Sequence, residues 1–200
     1  MFRFEILRQF RCWDDILKLE PPDPSLLLNA AIWHFARGSA LAASGRVKDA
    51  EGERDALITG QKSIPADAPW GLNKATSVLD VATHVLNARI ALAKVDRRSA
   101  VELLRHAITV EDGLAYDEPP GWYLPVRETL GGVLLGGREY VEAEKVFRAE
   151  LKKHPRSGRA LSGLYESLKA QAKNTAARSV WREFQAAWKN ADTRLRVEDL

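Results

Sequence analysis

The chain has 200 residues, of which 46% are hydrophobic and 28% are charged, and its formal net charge is +3 at pH 7. This balance is typical of a globular protein and excludes an intrinsically disordered chain. Charged residues and glycines interrupt every apolar stretch well before the roughly 18 residues that a transmembrane helix needs. The sequence therefore predicts no membrane span and no membrane partner.

The N-terminus lacks a basic region followed by an apolar one, so no signal peptide is expected, and the single cysteine, Cys12, excludes an intrachain disulfide. Both features favour a cytoplasmic location. Positive charge is concentrated at residues 151–200, which hold 11 Lys and Arg against 5 Asp and Glu. Such an end can attract nucleic acid, but solvated helix faces are the simpler interpretation, so a nucleic-acid partner is not expected.

Periodicity and breakers predict ten helices in chain order. The run of prolines that begins at Pro21 separates the first two helices from the third. Gly45 fits the position just after the third helix, and Gly137 fits the same position after the seventh. The expected helices lie near residues 2–9, 13–19, 25–44, 47–60, 73–95, 98–111, 124–136, 138–153, 158–172 and 175–190.

Small residues recur at a spacing that indicates an internal repeat. Ala50, Ala100, Ala143 and Ala177 each stand early in a second helix, and Ile16 takes the equivalent place near the start of the chain. The differences between these five residue numbers are 34, 50, 43 and 34, so the second and third steps are longer than the other two and carry insertions. Insertions of this kind usually form loops on one face of a repeat protein, often the binding face.

The best-matched unit spans residues 124–157. Counted from Leu124, leucine stands at position 7, glycine at 8, alanine at 20, phenylalanine at 24 and proline at 32. This pattern resembles the tetratricopeptide repeat (TPR), a helix–turn–helix unit of about 34 residues. The resemblance implies an all-α, right-handed solenoid of helix–turn–helix repeats with two loop insertions, in which the aromatic at position 24 fills the space between one unit and the next. It implies a single domain over residues 1–200, with units near 1–20, 25–60, 73–111, 124–157 and 158–190 and a tail at 191–200.

Two segments, Trp33 to Gly38 and Tyr116 to Glu128, also resemble the C-terminal part of larger, poorly characterised bacterial TPR proteins. That resemblance implies a fold rather than an activity. The first unit lacks most of its first helix, so the array begins without a cap. We therefore expect either a longer repeat protein of which this is a part, or a homodimer formed through the incomplete N-terminal repeat.

No catalytic pattern is present: the sequence has no phosphate-binding loop, dinucleotide-binding glycines, zinc-protease helix or nucleophile elbow. The Lys, Arg and Asn residues with which some TPR domains hold a chaperone C-terminus are replaced by Phe35, Ser39, Leu86, Pro125 and Thr129. The sequence therefore predicts a non-catalytic interaction or scaffold module, without a cofactor, that binds a peptide or protein partner in a concave groove.

A column of polar residues along the first helices is the candidate site. His34, His84 and Arg127 share one repeat position, and Arg37 and Asn87 take a position that is usually leucine. Residues three apart lie on one helix face, so each helix presents one polar patch. The two histidines, His34 and His84, are the candidate metal ligands.

The second insertion is expected to fold back over this column, because Trp122 and Tyr123 are costly to leave in water, and to bring Asp117 or Glu118 against it. Three interpretations stay open. The polar groups bond to one another and lock the loop, or, together with Trp33 and the loop aromatics, they bind an acidic, peptidic or other small ligand. In the third, the two histidines and a carboxylate bind copper, nickel or zinc.

Overall fold

The computed structural model describes residues 12–197 and 200. This part of the chain consists of nine α-helices and one short antiparallel hairpin. The helices are α1 (Trp13–Leu17), α2 (Leu27–Ala43), α3 (Val47–Lys62), α4 (Ala75–Ala93), α5 (Arg97–Asp112), α6 (Val126–Gly136), α7 (Tyr140–Lys153), α8 (Gly158–Ala170) and α9 (Asn174–Ala187), and the strands are β1 (Pro69–Trp70) and β2 (Asn73–Lys74).

The helices pack as consecutive hairpins. α2 packs on α3, α4 on α5, α6 on α7 and α8 on α9, while α1 lies against α2. We call the first helix of each pair an A helix and the second a B helix. The described residues up to Leu124 form one compact unit, and those from Pro125 onward form a second. The predicted all-α helical-repeat architecture is confirmed, and the grouping of all residues into a single domain stays a prediction.

The same backbone turn joins the two helices in all four of these hairpins. One residue with positive φ stands in each turn: Gly45 at 73°, Val95 at 63°, Arg138 at 64° and Ala172 at 58°. In every case the amide of the next residue donates to a carbonyl five residues earlier, at 2.9–3.0 Å, as in a Schellman-type helix end. The four turns therefore recur at the same spacing as the four small anchor residues from Ala50 onward.

Val95 is the most strained residue of this set. β-branched residues rarely adopt positive φ, because the Cβ atom crowds the backbone, and its side chain gains little from packing since it is 90% exposed. We expect Val95→Gly to stabilise the chain by about 1 kcal/mol in urea unfolding. The reverse change, Gly45→Val, places a side chain where a Cβ would meet nothing within 4 Å, and it should destabilise by a similar amount. Unchanged unfolding midpoints for both variants would contradict the strain.

The small residues at the repeat anchors are buried, as predicted. Ile16, Ala50, Ala100 and Ala143 are 0% exposed, and Ala177 is 4% exposed. An alanine at the contact lets the A and B helices of a hairpin approach closely without leaving a void.

Phe147 of α7 is a plug between two neighbouring hairpins. Its side chain is 0% exposed. A Cβ atom added to Gly131 of α6 or to Gly163 of α8 would come within 2.3 Å or 2.1 Å of its ring. The ring therefore fills the space between one helical hairpin and the next, which is the role predicted for the aromatic residue at position 24.

The two insertions bond to each other within the first unit. The first contains the β1–β2 hairpin, with Trp70 opposite Asn73 and Gly71 at a φ of 59° in the turn. The Asn73 side chain satisfies both backbone groups of Ala115 in the second insertion, since its Oδ1 accepts from the Ala115 amide at 2.7 Å and its Nδ2 donates to the carbonyl at 3.2 Å. The sequence predicts no strand here, and two strands of two residues each are too short to give a pattern.

The helix boundaries otherwise agree with the predicted ones to within a few residues. The helix expected at residues 2–9 lies outside the described residues. Gly137 follows α6 directly, but its φ is −83°; unlike Gly45, it is not the left-handed residue of its turn, and Arg138 has the positive φ instead. Within residues 12–197, no helix is both long and apolar enough to cross a bilayer.

Candidate functional site

His34 and Arg37 of α2 share one carboxylate, that of Glu53 on α3. His34 Nδ1 lies 2.6 Å from Glu53 Oε2, and Arg37 Nε donates to Glu53 Oε1 at 2.9 Å. Burial acts to raise the pKa of Glu53, but the hydrogen bonds from His34 and Arg37 outweigh it, so the pKa lies below its usual value. The three side chains are only 15–27% exposed. The cluster therefore ties the A helix of this hairpin to its B helix.

Arg37 also joins this hairpin to the preceding helix. Its Nη1 donates to the carbonyl of Leu17 at the end of α1, at 3.2 Å, and its guanidinium carbon lies 4.7 Å from the centroid of the Trp33 ring. A carbonyl at a helix C-terminus has no partner within its own helix, so a cation there satisfies it and interacts favourably with the helix dipole. These contacts favour a structural role for Trp33, His34 and Arg37.

The acidic residues of the second insertion bond within the insertions. Asp117 Oδ2 accepts the amide hydrogen of Leu72 at 2.8 Å, and a Cβ on Gly71 would collide with this carboxylate. Glu118 accepts a hydrogen bond from the hydroxyl of Tyr116, which raises the pKa of Tyr116. The predicted closure of the polar column by Asp117 or Glu118 is therefore wrong, because a hairpin amide and a tyrosine hydroxyl occupy these carboxylates.

His84 of α4 bonds within its own helix. Its Nδ1 lies 2.9 Å from the carbonyl oxygen of Asp80 and 3.5 Å from an oxygen of the Asp80 carboxylate. Its ring centroid lies 6.2 Å from that of His106 on α5, and Asn87 is half-buried three residues further along. Among the residues that the structure describes, no three His, Cys, Asp or Glu side chains form a group that could hold a metal ion. A metal site at His34 and His84 stays a prediction without a supporting cluster.

The second insertion folds back onto the A helices of the first unit, as predicted. Trp122 is 6% exposed and packs edge-on against Phe35 of α2, with ring centroids 5.4 Å apart. A Cβ on Gly121 would lie 3.7 Å from Val78 of α4. Tyr123, the next residue, is 45% exposed. A non-helical segment of the chain thus covers part of the A-helix face of this unit.

A residue from outside the helix pairs reaches an A helix in the second unit, where Leu200 lies on Gly132 of α6. Leu200 is 7% exposed, and a Cβ on Gly132 would come within 2.9 Å of Leu200 Cβ and 3.1 Å of its carbonyl carbon. Gly132 is one residue after Gly131, about 100° further round the helix, so this contact lies on a different side of α6 from the Phe147 plug. We call the surface of α6 at Gly132, on which Leu200 lies, the α6 seat. Arg127, predicted to belong to the polar column, is half-buried on the same helix.

A buried ion pair lies one helical turn before the α6 seat. Glu128 is 3% exposed and accepts hydrogen bonds from Arg159 Nε at 2.8 Å and from Ser157 Oγ at 2.5 Å. Burial raises the pKa of Glu128, and the hydrogen bond from Ser157 and the charge of Arg159 offset only part of this effect. Because Ser157 also caps α8, the pair fixes α6 to the start of the next A helix.

Glu144 of α7 joins its own hairpin to the next. It accepts hydrogen bonds from Lys173 Nζ at 2.7 Å, Gln171 Nε2 at 2.9 Å and Arg148 Nε at 3.0 Å. Burial acts to raise the pKa of Glu144, but these donors outweigh it and lower the pKa to about 2. Since Gln171 and Lys173 lie in the turn between α8 and α9, one carboxylate holds two hairpins together.

Sequence reasoning did not find Glu53, Glu128 or Leu200. The partners of both glutamates are 16 or more residues away in the sequence. The i, i+3 and i, i+4 spacings of a single helix therefore do not reveal them. One signal for the α6 seat is present, however. Within α6, the repeat pattern needs a small residue at Gly131 alone, and the adjacent Gly132 has no role in the pattern.

Comparison with known proteins supports the fold. No protein-family model matches the chain, and no curated protein matches it. A solved structure of a Podosopora anserina protein with nearly identical TPR-like repeats, assigned as a kinesin light chain, is similar at 18% identity with a TM-score of 0.55, over 95% of this chain and 88% of that one. A single-substitution variant of the same protein is similar at the same identity and TM-score, over 92% and 84%. The chain therefore has a TPR-like helical-repeat fold, as predicted.

Proposed function

We propose that this repeat scaffold is a non-catalytic interaction module that binds an extended segment of a protein partner on the faces of its A helices. The α6 seat is the observation that carries the proposal. There the apolar side chain of Leu200 is 7% exposed against a helix whose glycine allows the backbone to approach within contact distance. A surface that takes up a leucine from its own chain in this way has the shape and polarity needed to take one from another chain.

The first unit supports the same interpretation. Trp122 belongs to a loop between two helices, and its ring is buried against Phe35 of an A helix. That segment is connected to helices at both ends and is bonded to the hairpin of the first insertion, so it stays in place. Of the two covered faces, we therefore assign partner binding to the α6 seat.

The predicted alternative, binding of a small ligand or of copper, nickel or zinc through His34 and His84, has no comparable support. His34 Nδ1 is engaged by Glu53 and His84 Nδ1 by Asp80. The alternative stays a prediction. A homodimer through the N-terminal repeat and a cytoplasmic location likewise stay predictions.

A labelled peptide of residues 191–200 tests the proposal. The Leu200→Ser chain should bind it about tenfold more tightly than wild type does, because the wild-type leucine competes from the same molecule at a high effective concentration. Adding Gly132→Val to Leu200→Ser should abolish this gain, because a side chain at residue 132 overlaps the bound leucine. Fluorescence anisotropy of the peptide measures all three affinities.

Gly52→Val in the Leu200→Ser background is the matched control. It makes the same exchange within a helix, but a Cβ at Gly52 meets nothing within 4 Å, so peptide affinity should not change. If the peptide bound equally to the Leu200→Ser chain with and without Gly132→Val, or bound to neither, the α6 seat would not be a peptide site.

A further inference from the structure

The junction between α7 and α8 shows how one hairpin receives the next. Phe147 of α7 is fully buried against Gly163 of α8, and Glu144, three residues earlier, accepts from Lys173 at 2.7 Å. An aromatic ring over a glycine and an ion pair at its side thus define the junction. The B helix supplies the ring and one charge, and the following hairpin supplies the small residue and the opposite charge.

The last hairpin repeats the part of this junction that the B helix supplies, which is an aromatic ring with a charged residue beside it. Trp181 and Arg178 of α9 stand one repeat length after Phe147 and Glu144, at the same two positions of the repeat. The Trp181 ring lies 4.8 Å from the Tyr165 ring and 5.2 Å from the Phe184 ring, measured between centroids. It is nevertheless 38% exposed, whereas Phe147 is 0% exposed. Trp181 thus packs against aromatic residues of its own hairpin, but within the described residues no following helix covers its exposed side.

The charge at this face is reversed. Where α7 has Glu144, α9 has the exposed Arg178, and within the part of the chain that the structure describes Arg178 has no acidic partner. Arg182, also exposed, lies one turn further along α9. Glu144 forms an ion pair with Lys173 of the following hairpin. By the same arrangement, a carboxylate on whatever packs against α9 would pair with Arg178.

Two residues that follow α9, Trp188 and Leu200, pack on other helices of the second unit. The Trp188 ring packs on Gly158 at the start of α8, where a Cβ would come within 2.2 Å, and its Nε1 donates to the carbonyl of Thr193 at 2.7 Å. Leu200 lies on Gly132 of α6. Trp188 also stacks on Phe184 of α9, with ring centroids 6.0 Å apart, and in the described part of the chain it makes no ring contact with Trp181.

We propose that the face formed by Tyr165, Arg178, Trp181 and Arg182 docks a helix of a partner protein. This helix presents a small residue to Trp181, as Gly163 does to Phe147, and the turn that follows it presents a carboxylate to Arg178, at the place where Lys173 meets Glu144. A second copy of this chain is a poorer occupant, because a two-fold pairing of the same face would bring its exposed arginines together. The site is separate from the α6 seat and does not depend on peptide binding there.

The segment that contacts Phe147 and Glu144 in the α7–α8 junction, which carries Gly163 and Lys173, provides the probe. A labelled peptide of residues 157–173, hydrocarbon-stapled only within the helical residues 158–170, would be made with its natural sequence and with Lys173→Glu. The full chain should bind the Lys173→Glu peptide about tenfold more tightly, because a carboxylate then faces Arg178 in place of a lysine. Adding Gly163→Leu to that peptide should abolish binding, since Trp181 then has no room to pack.

Variants of the chain make the assignment specific. Arg178→Glu should reverse the preference, so that the natural peptide binds more tightly, while Lys189→Glu, an equal charge change outside the paired position, should leave the order unchanged. Trp181→Ala should weaken both peptides. Equal binding of the two peptides, an unchanged order with Arg178→Glu, or no binding at all would overturn the proposal. Sedimentation showing a dimer of the wild-type chain that Trp181→Ala dissociates would also overturn it, because the occupant would then be a second copy.

Discussion

Replacing Phe147 with alanine is expected to lower the free energy of unfolding of the second unit by about 3–5 kcal/mol. The ring is fully buried and lies between Gly131 and Gly163, two residues with no side chain that could move into the space it leaves. The cavity therefore stays open, which places the cost at the upper end for a large-to-small change. Urea unfolding followed by circular dichroism, fitted for the midpoint and slope, measures the loss.

Val141→Ala is the control for Phe147→Ala. Val141 lies on the same helix but is 54% exposed, so its truncation should change the unfolding free energy by less than about 0.5 kcal/mol. A loss below about 1 kcal/mol for Phe147→Ala would mean that the two hairpins close the gap by moving together. The plug would then not be what separates them.

Replacing Trp122 with alanine is expected to destabilise the first unit by about 3 kcal/mol. The side chain is 6% exposed and packs edge-on against Phe35 of α2, so it joins the second insertion to this helix. Without it the insertion loses its hold on the A helix. The amide of Leu72, which donates to Asp117 of the same insertion, should then exchange its hydrogen faster. Thermal unfolding and hydrogen exchange measure the two effects.

Tyr123→Ala provides the comparison for Trp122→Ala. It removes the neighbouring aromatic residue, which is 45% exposed, and should cost less than about 1 kcal/mol while Leu72 exchange stays as in wild type. If the two variants were equally stable, the burial of Trp122 would contribute nothing that an exposed tyrosine does not.

The repeat fold could be predicted because its rules are local and recur. Ala143 and Phe147 stand at fixed distances from Gly131 in the sequence, and each does in the structure what its position implies. The turn residues were predicted less well, since Gly137 precedes the left-handed position instead of occupying it. A glycine lowers the cost of positive φ, but the hydrogen bonds that end the helix decide which residue adopts it, and here Arg138 does.

The partners of the polar residues could not be predicted, because they depend on which of several carboxylates lies nearest after folding. His34 and Arg37 are largely shielded from solvent, so both side chains need polar partners within the protein. The acid that meets them is Glu53 on the adjacent B helix, which lies 2.6 Å from His34 Nδ1 and 2.9 Å from Arg37 Nε. A rule that looked first to the paired helix, before any insertion, would have found it.

The bonds between Asn73 and Ala115 have a consequence for engineering and for the history of this fold. Asn73 and Ala115 are 42 residues apart in the sequence, yet the side chain of Asn73 bonds to both backbone groups of Ala115 in the other insertion. A chimera that received the loop around Asp117 without the hairpin would lose the acceptor and donor of Asn73 and the amide of Leu72 together. Grafting should therefore move both insertions as one cassette, and we expect relatives of this chain to carry both or neither.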